Sequence, residues 1–151
     1  MNATTRPQPV HVKLRTWLLI GAGCTTIFGI LHHVDHVVRG NHSGWPFEKV
    51  VTPFTFSLLI YALLLPGLYL TAKGRLMAAY WLFTAVLGLT LLVWVHFVPT
   101  RVYEAPIRDI YGVYDSPVVG FLAVADLTVL IASAAVVAGV AIQALRIDGR
   151  R

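Results

Sequence analysis

Apolar residues in this chain fall into four long runs, at 17–38, 51–72, 77–98 and 118–145. Each matches or exceeds the roughly 20 residues that a helix needs to cross the hydrocarbon core of a bilayer. The second run carries no formal charge, the third holds only His96 and the fourth only Asp126. The first begins WLLIGAGCTTIFGIL and ends HHVDHVV, so its polar residues gather at one end. The pattern predicts an all-α, integral membrane four-helix bundle, as one domain over residues 1–151.

The connections fit that parsing. Residues 73–76 make a turn so short that the second and third helices must be antiparallel neighbours. Residues 39–50 contain Gly, Asn, Ser and Pro and read as a loop. Residues 99–117 hold three prolines and three tyrosines, long enough for a cap lying over one end of the bundle. Pro66-Gly67 predicts a kink in the second helix. Gly21, Thr25 and Gly29 recur every four residues and give the first helix a smooth face for close packing. The small residues at 132–141 do the same for the fourth and suit packing or dimerisation.

Composition sharpens the picture. Hydrophobic residues make up 57% of the chain and charged residues 13%, against about 25% charged in soluble domains. Mean hydropathy is +0.72. The net charge of +5 does not point to nucleic acid, because the basic residues lie between apolar runs rather than in one stripe.

Their distribution sets orientation instead. Arg6, Lys13, Arg15, Lys73, Arg75, Arg146, Arg150 and Arg151 fall on one side, and Arg39, Lys49, Arg101 and Arg108 on the other. With an even number of spans, this places both termini in the cytoplasm and the chain in the inner (plasma) membrane. Trp17, Tyr69, Trp81 and Trp94 stand near span ends, where interfacial aromatics are expected. The basic start followed by an apolar run also resembles a signal peptide, and GAGC at 21–24 a lipoprotein cleavage site. The apolar stretch runs on past Cys24 to Leu31, which favours an uncleaved helix.

The chemistry lies in the polar cluster. On a helix, His32, His33, Asp35 and His36 stand near 0°, 100°, 300° and about 40°. His32 and His36 are therefore an i, i+4 pair, the spacing by which one helix offers two imidazoles to one metal. Counting from the span ends, His32 lies roughly 9 Å and Asp126 about 12 Å inside the outer edge, with His96 within a turn of the same edge. An ionisable side chain at such depth costs about 2.5–3.5 kcal/mol even on lenient scales, and usually faces a partner inside the bundle.

His32, His36, His96 and Asp126 form the leading ligand set, with Asp35 and His33 as weaker candidates. Imidazole and carboxylate suit Zn, Cu or Fe, and two of the histidines could instead ligate haem. A metal-free proton relay or quinone site would use the same residues. So would plain interhelical packing, with Asp35 paired to Arg39 one turn on and His42 simply solvated. Phosphate loops, nucleophile elbows, HExxH and CxxC motifs are absent, so the sequence names no reaction. The leading reading is a metal- or haem-binding membrane protein in a redox or metal-handling role. A structural or accessory subunit of a homo-oligomer or larger membrane complex is the alternative, and a transporter or channel a third.

Overall fold

The computed structural model describes residues 9–39, 47–98, 114 and 116–150. Among them the chain is helical, with helices α1 (Pro9–Arg39), α2 (Pro53–Ala72), α3 (Ala78–Phe97) and α4 (Pro117–Asp148). All four are long and apolar enough to cross a membrane. Helix α1 starts eight residues before the apolar run: Leu14 carries the buried face of Leu18 and Ala22 back by one turn, and Lys13 and Arg15 are good helix formers. His42, the Arg39 side chain and residues 99–113 lie outside what is described, and with them the Asp35–Arg39 pair and most of the cap expected over 99–117.

Local chemistry fixes the ends. Thr52 caps α2 reciprocally: its hydroxyl accepts from the Thr55 N–H at 3.2 Å, and the Thr55 hydroxyl accepts from the Thr52 N–H at 2.8 Å. Pro53 follows at the first helical position, where a missing N–H costs nothing. Within α2 the departure from α geometry is a 3-10 turn at Leu58–Ile60, upstream of the proline expected to kink it. Pro66 itself sits inside the regular stretch Tyr61–Ala72. Gly74, at φ +94°, ends the helix. The Gly74 N–H reaches the Thr71 carbonyl and the Arg75 N–H that of Leu70, the paired bonds of a Schellman cap.

The helices share one core, built from Leu18 and Ala22 of α1, Leu64 of α2, Trp81 and Ala85 of α3, and Val137 and Ala141 of α4. Helix α1 packs most extensively on α4, which also carries α3, while α2 leans on α1. The small-residue face of α1 makes this close approach feasible. A Cβ at Gly21 would stand 3.0 Å from Val137 Cγ2, and Thr25 Oγ1 lies 3.0 Å from Ser133 Oγ of α4. Outward-facing residues such as Phe83 and Phe121 leave 60% and 64% of their surface exposed, so the outer face is apolar as well as the core.

Helices α2 and α3 meet mainly near the turn that joins them. Tyr80 donates to the Leu63 carbonyl at 2.5 Å and Trp81 Nε1 to Thr71 Oγ1 at 2.8 Å. Trp81, expected at the interface, is in fact fully buried. Gly67 makes room for its indole, and Thr71 satisfies its N–H.

A Cβ at Gly67 would lie 2.7 Å from the Tyr80 ring and 3.0 Å from Trp81, whereas one at Gly23 would meet nothing within 4 Å. Gly67→Ala is therefore expected to destabilise the protein by about 1–3 kcal/mol. Gly23→Ala is expected to be neutral or mildly stabilising. Unfolding of both variants in detergent, compared with the parent, checks the contrast.

Candidate metal centre

The 3.6-residue repeat puts His32 and His36 one turn apart on α1, and α3 brings His96 against them from the facing helix. His32 and His96 are buried, 4% and 3% exposed. His32 Nε2 stands 3.0 Å from His96 Nε2 and 3.2 Å from His36 Nε2. One ring nitrogen from each of the three histidines lies within 4.8 Å of the others, an arrangement that could hold a metal ion.

Proton bookkeeping explains why this convergence matters. His96 Nδ1 lies 2.9 Å from the Leu92 carbonyl. A carbonyl only accepts, so Nδ1 carries the proton and the neutral ring turns a lone pair outward at Nε2. That lone pair faces His32 Nε2, which His36 Nε2 also approaches. A ring nitrogen has a single in-plane direction, so one proton on His32 Nε2 cannot make a linear bond to both neighbours. A cation among the three nitrogens can accept all three lone pairs at once.

The spacings suit such an ion. With bonds of about 2.0–2.1 Å, ligand nitrogens stand about 3.0 Å apart at a right angle and about 3.4 Å at the tetrahedral angle. The two contacts at His32 Nε2, 3.0 and 3.2 Å, fall in that range, while His36 and His96, within 4.8 Å, would have to draw together to about 3.4 Å at most around a tetrahedral ion. Two axial imidazoles on a haem iron need about 4 Å between their nitrogens, with the macrocycle between them. His32 and His96, as placed, leave no room for that plane.

Asp126 of α4 stands on the other nitrogen of His32. Its Oδ2 is 3.7 Å from His32 Nδ1, and both carboxylate oxygens are buried without a hydrogen bond. This position, behind the imidazole rather than among the converging nitrogens, is that of a carboxylate orienting a metal-ligating histidine. A small closure would let His32 Nδ1–H donate to Asp126, fixing the tautomer that bares Nε2.

His33 is engaged elsewhere. Its Nδ1 is 2.7 Å from the Gly29 carbonyl and 2.9 Å from the Tyr61 hydroxyl, and its Nε2 is 2.8 Å from Ser57 Oγ. Both nitrogens therefore serve the α1–α2 contact, and Gly29 lets Tyr61 in, its ideal Cβ being 3.3 Å from the phenolic oxygen. Asp35 accepts a hydrogen bond from Tyr114, whose side chain packs against the cluster of Ala123 and Leu127. Tyr61, Ser57 and Tyr114 escape a reading of histidines and acids; Gly29 is legible only as part of a smooth packing face.

The metal-free protein above the imidazole titration range is expected to hold His96 as the Nδ1–H tautomer with Nε2 bare. Nitrogen-15 NMR of the labelled histidines in detergent reads this directly, and an Nε2–H form of His96 would contradict the bookkeeping. Comparison with known protein families, with curated proteins and with solved structures finds no match, so the functional reading rests on this geometry.

Proposed function

We propose that the chain is an integral membrane metalloprotein that holds one Zn, Cu or Fe ion on His32, His36 and His96. The observation that carries the reading is the meeting of three imidazole nitrogens from two helices inside an apolar core. An all-imidazole donor set suits those three metals and offers no thiolate to a softer one. Asp126 orients His32 from behind, and His33 ties α1 to α2 and stays outside the ligand set. Three protein ligands leave at least one position of a four-coordinate ion open. An open position belongs to a site that exchanges or reacts, which favours a redox or metal-handling role over a purely structural ion.

The bilayer is the solvent that the apolar outer surface calls for. The excess of Lys and Arg on one side of the spans supports a topology with both termini cytoplasmic and the histidine centre towards the outer leaflet. A reporter fused to the C-terminus is expected to read as cytoplasmic.

Protein purified in detergent and reconstituted with metal should retain about one ion per chain by elemental analysis. His32→Ala/His36→Ala and His96→Ala should lose it. Asp126→Asn should weaken it about 10- to 100-fold, and His33→Ala should keep it. Retention should fall as the pH is lowered, because protons compete for the same lone pairs. Failure to retain any ion after reconstitution, or equal retention by the His32→Ala/His36→Ala and His96→Ala variants, would overturn the proposal. The histidines and Asp126 would then be polar packing in an accessory subunit.

A further inference from the structure

A cavity of about 320 Å³ runs along the inside of the four helices, touched by His96 at one end of α3 and by Thr84 nearer the other. Those residues are twelve apart on one helix, about 18 Å along its axis. The volume falls at the small end of the usual range for ligand sites, about 300–1,000 Å³. No Lys, Arg, Asp or Glu is among the residues that line it.

Thr84 gives the cavity a chemical preference. On the described helices Thr16, Thr25, Thr26 and Thr128 each donate to the carbonyl four residues back, at 2.8–3.0 Å. Thr84, only 2% exposed and on the cavity wall, makes no hydrogen bond. Tyr80, one turn earlier, gives its own proton to Leu63, and its oxygen approaches the Thr84 hydroxyl only outside hydrogen-bond geometry. A buried hydroxyl left unpaired is costly, and water is a poor remedy because it needs two to four polar partners. Trp81, Ala85, Gly88 and Leu64 also line the cavity; the one polar group they hold, the Trp81 N–H, is already committed to Thr71.

The route in is lateral. Helices α2 and α3 are pinned together near their turn by Gly67, Tyr80 and Trp81. Towards the histidine end the cavity lies between them, bordered by exposed Val51, Phe56 and Trp94. A molecule dissolved in the membrane reaches this seam without crossing water.

We infer that the cavity binds an uncharged, membrane-soluble molecule through a carbonyl-type oxygen that accepts from the Thr84 hydroxyl, its apolar body filling the space towards the histidines. The inference stands on the cavity and Thr84 and does not depend on a bound metal. Quinones and long-chain ketones share this chemistry.

The test uses the full chain carrying Trp17→Phe, Trp45→Phe and Trp94→Phe, so that Trp81 on the cavity wall is the one fluorophore. A decyl-substituted benzoquinone should quench Trp81 saturably, and 2-tridecanone and tridecane should compete for the site. Thr84→Val, nearly the same shape without the hydroxyl, should weaken quinone and ketone about tenfold and leave tridecane unchanged. Displacement by ketone identifies the wider carbonyl class, and saturable quenching that ketone cannot displace identifies quinones. The His32→Ala/His36→Ala form should still quench saturably, which separates this result from the fate of the metal reading. Quenching that never saturates, or a Thr84→Val change equal for ketone and hydrocarbon, would mean filling by lipid tails only and would overturn the inference.

Discussion

Polar nitrogen inside an apolar interior must find its partners within the protein, and that constraint organises this molecule. His32 and His96 cannot turn to water, since both are almost fully buried, and His36 stands one turn from His32 on the same helix. They turn to one another, and their hydrogens do not suffice for linear bonds along both short contacts. Asp126 has the complementary problem, a buried carboxylate beside His32 with no hydrogen bond. On the proposed reading one cation would answer both: it would take up the lone pairs and hold His32 in the tautomer whose other nitrogen can donate to Asp126.

The helix packing follows from letting these groups meet. Gly21 and Thr25 allow α1 to approach α4, which carries α3 and so brings His96 to His32. Gly29 admits Tyr61, and the resulting hydrogen bonds at His33 hold α2 against α1. At the opposite end Gly67 and Trp81 hold α2 to α3. The α2–α3 seam is therefore tight at the turn and open at the histidines, and the same arrangement that assembles the centre leaves the cavity beside it.

Much of this was legible in the sequence, for physical reasons. Length and hydropathy alone define the four helices, because no soluble core of this size could hide them. The i, i+4 spacing of His32 and His36, and the matched depth of His96, follow from helix rise and turn direction. Other features depend on rotation about the helix axes, which sequence spacing does not set. The position of Asp126 behind His32, rather than beside the three nitrogens, is one. The engagement of His33 by Ser57 and Tyr61 is another. Trp81 resembles an interfacial aromatic until Gly67 is seen to admit it, and Thr84 resembles any helical threonine until its missing back-bond is seen.

The most direct measurement is X-ray absorption on the zinc-loaded protein in detergent, because it counts the ligands. Three imidazole nitrogens at about 2.0–2.1 Å, reduced in number by His96→Ala, are expected. A shell of oxygen ligands without imidazole scattering, or one unchanged by His96→Ala, would show that the ion sits elsewhere and that the histidines meet for packing alone.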